Sequence, residues 1–307
     1  MASSEEANLQ GFGSSLLGAS NASAPTLAMQ AKAGYEIVFD REGNAWTFGP
    51  TLAEARILRY PRAGFDAAGA VAPDRELWVT QIDCIGTRAM AFGPNGSLWV
   101  AACGALQRLD ADTLATPSAT VDADATLSGL DDIQDLAFDG AGNLWVADAG
   151  YVKRYDAARL TGSTATAADA VLTVRNAENT GDLTASYLAF DGDGDLWIVD
   201  FGGNRLAEVK ASALTSVGSA NAVPAVTIAL DVQALLARPA FDDAGGLWVS
   251  YRRGQVARIA PSALSVSTDA GAPTTPDVVL SSPTIGYAAN VAFFPAAAGL
   301  PLYHAHD

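Results

Sequence analysis

The apolar positions of this chain recur in one phrase, repeated five times. Each phrase opens on an apolar run ending in phenylalanine and closes on an apolar run centred on tryptophan. The five are Val38-Phe39 to Trp46, Ala91-Phe92 to Trp99, Ala137-Phe138 to Trp145, Ala189-Phe190 to Trp197 and Ala240-Phe241 to Trp248. The Phe-to-Trp interval is seven in all five, and the tryptophans follow one another at 53, 46, 52 and 51 residues. Between Phe and Trp lie turn formers, such as Asp139-Gly140-Ala141-Gly142-Asn143 and Gly93-Pro94-Asn95-Gly96-Ser97. Each phrase therefore predicts a β-hairpin. A third strand follows at Val152-Lys153-Arg154-Tyr155 and Val256-Ala257-Arg258-Ile259, and a fourth beyond a polar loop, as in Ala170 to Val174, Ala225 to Ile228 and Asp277 to Leu280. Four strands per repeat of roughly 50 residues describe a blade of a β-propeller. A sandwich of two sheets requires no strict repeat.

A sixth inner strand is expected at Asn290-Val291-Ala292-Phe293, with the altered run Leu302-Tyr303-His304 as its partner. The N-terminus supplies runs that match the missing outer pair, Asn8 to Phe12 and Pro25 to Met29. The expectation is a single all-β domain over residues 1–307, a six-bladed β-propeller with four antiparallel strands per blade. Its blades fall at about 34–83, 84–131, 132–183, 184–233, 234–285 and 286–307 joined to 7–30. N-terminal outer strands would complete the blade whose inner strands are C-terminal, leaving no open edge.

Composition narrows the partners. Half of the residues are hydrophobic and 17% charged, which supports a buried core and excludes a disordered chain. Eighteen basic against 34 acidic residues give a net charge of −16. Such a surface repels phosphate backbones and anionic lipid, so no nucleic-acid partner is expected. No apolar stretch approaches the roughly 20 residues a membrane-spanning helix needs. A small molecule or a protein remains as partner, to a chain expected to be monomeric, with assembly left open. The N-terminus shows no basic-then-apolar signal segment. The chain reads either as a cytoplasmic protein or as the mature form of a secreted, periplasmic or cell-surface one, and its two cysteines favour the second.

The run from Leu136 to Asp156, "LAFDGAGNLWVADAGYVKRYD", resembles the NHL-repeat and gluconolactonase-like superfamily of six-bladed propellers. That group includes bacterial secreted propellers, streptogramin-lyase-like proteins and metal-dependent lactonases and arylesterases. The resemblance runs blade by blade over essentially the whole chain. It is specific for architecture, since such folds host binding modules and enzymes alike.

Propeller sites lie at the mouth of the central channel. Aligning the inner strands on their phenylalanines selects Glu36, Ala89, Asp135, Tyr187, Arg238 and Asn290 as one ring. Aligning the second strands on tryptophan selects Gly49, Ala102, Asp148, Asp200, Tyr251 and His306. These positions vary while the scaffold repeats, which marks them as candidates for recognition. The resemblance implies a catalytic calcium held by a first-blade Glu with Asn and Asp from other blades, here Glu36, Asp135 and Asn290. Oxygen ligands suit that ion. The family's Glu is normally followed by Gly-Pro, whereas Ile37-Val38 stand here. Arg238 falls in the same ring, and its charge offers Glu36 or Asp135 an ion pair instead of a metal.

Three function readings follow. The first is a secreted or periplasmic propeller that binds a ligand or protein through Glu36, Asp135, Tyr187, Arg238, Tyr251 and Asn290, without chemistry. The second is a calcium-dependent lactonase or esterase, in which the cation polarises a carbonyl and activates water. The third is a structural subunit of a surface assembly. A lyase needs a histidine base, and the only histidines are His304 and His306, at the extreme C-terminus.

Cys84 and Cys103 flank the inner hairpin of the second repeat at the same edge, so a disulfide between them is expected. Asp191-Gly192-Asp193-Gly194-Asp195 begins like a calcium loop, but its sixth and twelfth positions are Leu196 and Gly202, where an EF-hand needs Gly and Glu. The five periodic tryptophans read as core. Trp78, outside the repeat, is the aromatic expected at the surface.

Overall fold

The computed structural model describes residues 7–11, 17–20, 27–33, 36–49, 56–66, 71–82, 89–102, 104–162, 164–165, 167–176, 181–200, 202–230, 238–252, 255–281 and 290–293. They form an all-β propeller. Blade one consists of Ile37–Phe39, Ala45–Phe48, Arg56–Tyr60 and Arg75–Val79, each antiparallel to the next. Blade two is Met90–Phe92, Leu98–Ala102, Ala105–Leu109 and Ala125–Ser128. Blade three is Ile133–Phe138, Leu144–Asp148, Tyr151–Tyr155 and Ala170–Val174. Blade four is Ala185–Phe190, Leu196–Asp200, Arg205–Val209 and Val226–Ala229. Blade five is Ala240–Phe241, Leu247–Arg252, Gln255–Ile259 and Val278–Ser281.

The core lies between blades. Four of the five repeat tryptophans are buried in edge-to-face contacts, Trp46, Trp145 and Trp197 on the next blade's Phe92, Phe190 and Phe241 and Trp248 on Phe293, at 6.0 to 6.2 Å between ring centres. Aromatic pairs favour this geometry. The residue after the phenylalanine explains why the hairpins are so regular. Asp40, Asp139, Asp191 and Asp242 each accept the indole Nε1–H of their own tryptophan at 2.8 to 2.9 Å. The same carboxylates accept the backbone N–H four residues on, at 2.8 to 2.9 Å. One side chain thus caps the turn and satisfies a buried donor.

Three blades carry a fifth strand that the repeat pattern did not predict. Ala119–Val121, from the connection within blade two, pairs parallel with the outer strand of blade one. Thr164–Ala165 of blade three pairs likewise with blade two, and Gly218–Ala222 of blade four with blade three. On blade four the same edge is met by Ser267 and Thr268, whose hydroxyls accept the amides of Thr227 and Ala229 at 3.1 and 3.0 Å. On blade five the amide of Val279 donates to Ser20 Oγ at 3.0 Å. Each outer edge is therefore covered by a later connection, or by the N-terminal segment, which answers the edge-strand hazard.

The expected count of six blades is corrected to five among the described residues. Asn290 to Phe293 dock against blade five through Val291 and Phe293 without forming a strand. The sequence supplies a reason. From Phe293 to Tyr303 the interval is ten rather than seven, Phe294 and Pro295 stand where the other repeats begin their turn, and no aspartate follows Phe293. Residues 302–304 lie outside the described residues. Ala7–Gly11 and Leu27–Ala33 do pair antiparallel as expected, and among the described residues neither pairs with a further strand. Trp78 is 41% exposed, as expected, and stacks under Arg56 at 5.5 Å. Among the described residues no helix is long and apolar enough to cross a membrane.

Candidate functional site

At the channel mouth four of the predicted ring residues meet. Arg238, which precedes the inner strand of blade five, crosses the axis. Its Nη1 donates to Glu36 Oε1 at 2.7 Å and to the Met90 carbonyl at 2.9 Å. Its Nη2 donates to Asp135 Oδ1 and, at 3.0 Å, to the Leu136 carbonyl. Asn290 closes the group: its Oδ1 accepts the Arg238 amide at 3.0 Å and its Nδ2 donates to Glu36 Oε2 at 2.7 Å. Asp135 also accepts the amides of Leu136 and Leu188, both at 2.8 Å. One guanidinium thereby ties blades one, two, three and five together, and Asp135 adds blade four.

Local structure makes these bonds available. The pairing of the inner two strands shifts register between Ile133 and Asp135 in blade three, and between Ala185 and Tyr187 in blade four. A bulge at the mouth turns backbone groups out of the ladder. No pattern of side chains marks the carbonyls of Met90 and Leu136 or the Leu188 amide, because any residue carries these backbone groups. The side chains of Glu36 and Asp135 are each 1% exposed and that of Arg238 12%. Burial, aided by the nearby Asp135 charge, pushes Glu36 up from the ordinary 4.5 to about 8 against the pull of Arg238. Although burial alone would lower the Arg238 pKa, the two carboxylates raise it further and hold the guanidinium charged.

The two predicted carboxylates of the second ring are held within the scaffold. Asp148 accepts the amides of Asp131 and Asp132 at 3.0 and 2.7 Å and pairs with Lys153 at 2.5 Å. Asp200 accepts the Gly203 amide at 3.1 Å and pairs with Arg205 at 3.2 Å. Tyr251 is buried in the cluster between blades four and five, with Tyr187 half-buried against it. The Asp191–Asp195 turn is engaged with Trp197 and Lys210. Lys210 bridges Asp195 and Glu208 at 2.8 and 2.9 Å. Cys84, Cys103, His304 and His306 lie outside the described residues.

The expected calcium ligands do not fit a calcium ion. Both oxygens of Glu36 and both of Asp135 already accept hydrogen bonds, and a guanidinium lies at 2.7 Å from Glu36. Calcium demands six to eight oxygens around itself.

No protein-family model matches the chain, and no curated protein does. Among solved structures it is similar to virginiamycin B lyase from Staphylococcus aureus, at 13% identity and a TM-score of 0.47, over 74% of this chain and 66% of that one. It is also similar to a chain described as the extracellular domain of a hybrid two component system from B. thetaiotaomicron. There the identity is 17% and the TM-score 0.50, over 78% of this chain and 31% of that one. The chain thus spans just under two thirds of the lyase and about a third of the second protein. The likeness is one of fold: this is a β-propeller.

Proposed function

We propose that this propeller is a binding module of the NHL-like kind, working outside the cytoplasm, which takes a small molecule or a protein at its channel mouth and performs no chemistry there. The observation that carries the reading is Arg238. It occupies the carboxylates that a calcium-dependent lactonase would turn toward its metal, so the mouth is built to hold a fixed charge pattern. Near it lies the half-buried Tyr187, whose side chain offers apolar contact and a hydroxyl together. The extracytoplasmic setting rests on Cys84 and Cys103, as a disulfide pair.

The test has two arms on one preparation. The first screens lactones and aryl esters for hydrolysis, with calcium and with chelator. The second screens small molecules for a rise in melting temperature. Ligand stabilisation that Tyr187→Ala weakens about tenfold or more, with no calcium-dependent turnover, is the expected result; a lost aromatic contact is of that scale. Calcium-dependent turnover that Glu36→Gln abolishes would overturn the reading in favour of the hydrolase.

A further inference from the structure

Blade two breaks the rule that the other four keep. Where they place an aspartate after the phenylalanine, blade two has Gly93. No carboxylate there joins the turn to the tryptophan. Asn95 caps the turn instead, accepting Ser97 N and Oγ at 3.2 and 2.7 Å. Asn95 is exposed, while Ser97 is buried. The residue after Asn95 is glycine. The chain has ten asparagines, and the other nine precede larger residues.

Asparagine before glycine carries a reaction of its own. The nitrogen of the following residue, once it has lost its proton, attacks the side-chain Cγ, and glycine has no Cβ to obstruct it. Here a bond would form between Gly96 N and Asn95 Cγ. The bond from Cγ to Nδ2 breaks, and the nitrogen leaves as ammonia with a proton from water. Water then opens the cyclic imide at one of its two carbonyls. Opening at Cγ leaves an aspartate with an ordinary main chain. Opening at the main-chain carbonyl leaves an isoaspartyl link that runs through the side chain.

The closed turn keeps the two reactants apart. The Gly96 amide donates to Gly93 O at 3.0 Å, so its proton is bound and its nitrogen fixed. The carboxamide is drawn past Gly96 to Ser97 by its two hydrogen bonds. Pro94 fixes one dihedral of the turn, and Arg41 of blade one donates to the Pro94 carbonyl at 2.7 Å. Gly96 sits in the left-handed region at φ 79°, and no atom lies within 4 Å of where its Cβ would stand. Once the turn opens, nothing around Gly96 shields it from water.

We infer that Asn95 is a site of spontaneous deamidation, held off by the closed turn of blade two and released when that turn opens, with Ser97 as the latch. It stands whatever the mouth binds. The aspartate product keeps an acceptor for Ser97, so the turn stays closed. It adds one negative charge to a cavity wall that already carries Asp110 and Asp112. The isoaspartyl product lengthens the main chain by one atom. It does so inside a turn closed by the Gly93 amide on Ser97 O at 2.8 Å and by the Gly96 amide on Gly93 O. That register no longer fits, and the hairpin that buries Trp99 loosens.

The test incubates the purified protein at mildly alkaline pH, folded and in urea. Peptide mapping and enzymatic methylation of isoaspartate follow the conversion. Asn95 is expected to react before every other asparagine, and more slowly in the folded protein than in urea. Ser97→Ala removes the hydroxyl of the latch. It should speed the reaction of the folded protein about tenfold, the scale on which a lost hydrogen bond shifts a local opening. It should leave the rate in urea unchanged. Pro94→Ala loosens the turn by another route and should act in the same direction, which keeps the test open if Ser97→Ala does not fold. The isoaspartyl fraction should melt below untreated protein, whereas Asn95→Asp should melt close to it. No conversion at Asn95, equal rates in the folded protein and in urea, a folded-state rate that neither substitution changes, or another asparagine reacting first would overturn the proposal.

Discussion

At the scale of single residues, the aspartate before four of the five hairpin turns does the most with the fewest atoms. Asp139 accepts the amides of Ala141 and Asn143, the Asn143 side chain, and the indole of Trp145, at 2.8 to 2.9 Å. Asp139→Ala leaves a fully buried indole N–H unpaired and frees the turn. The expected cost is about 2–3 kcal/mol, read as a lower urea midpoint. Asn95→Ala in blade two should cost visibly less, because Asn95 caps a turn and satisfies no indole. Equal losses in the two variants would show that the turn, and not the indole, carries the energy. The interval of six from Asp to Trp is visible in the sequence at Asp40, Asp139, Asp191 and Asp242. Its cause is not, since two residues on adjacent strands meet only once the hairpin has closed.

At the scale of elements, the blades were legible and the strands that join them were not. An inner strand buried on both faces reads as an unbroken apolar run, and the five runs carried the periodicity. The parallel strands Ala119–Val121 and Gly218–Ala222 carry no long apolar run and are largely exposed or half-buried. They become strands because an unpaired outer edge lies beside them, a tertiary cause with no local signal. Gly218–Ala222 is the longest of the three. The amide of Gly218 donates to the Asp169 carbonyl at 2.7 Å, and the Arg175 amide donates to Ala222 at 2.8 Å. The alternation of a parallel ladder then directs the Ala220 amide to the same edge. Ala220→Pro removes that donor, and an expected loss of about 1–3 kcal/mol would lower the melting temperature by a few degrees. Amide exchange should accelerate in Ala170–Val174 and stay unchanged in Leu144–Asp148. Unchanged exchange at the outer strand would mean that the connection lies on the blade without holding it.

At the scale of the whole molecule, the blades are held at the rim by these connections and at the axis by Arg238. The sequence brought Glu36, Asp135, Arg238 and Asn290 to one ring and left metal and ion pair as alternatives. The choice between them needed the direction of one side chain. That direction has a consequence for pH. Glu36 in the folded protein is pushed up to about 8, chiefly by burial, while the unfolded chain keeps the ordinary 4.5. Between those values the folded state holds a proton that the unfolded state has released. Stability therefore falls as pH rises through this window and levels off above pH 8. The shift is worth on the order of a few kcal/mol if it is fully expressed. Asp169 and Asp242 act in the opposite sense. Burial opposes their ionisation, but hydrogen bonds and arginine neighbours outweigh it and leave both below the usual 3.8. Their contribution is present above that value and is lost as pH falls through their folded-state values. The two trends together place maximum stability near pH 5. Calorimetry from pH 4 to pH 9 should show the melting temperature falling steadily from pH 5 to pH 8. Glu36→Gln keeps a neutral side chain of the same shape beside Arg238, so its curve should be nearly flat over that range. A wild-type melting temperature that is equal at pH 5 and pH 8, or a slope that survives Glu36→Gln, would mean that Arg238 keeps both carboxylates ionised and that the axis carries a net negative charge throughout.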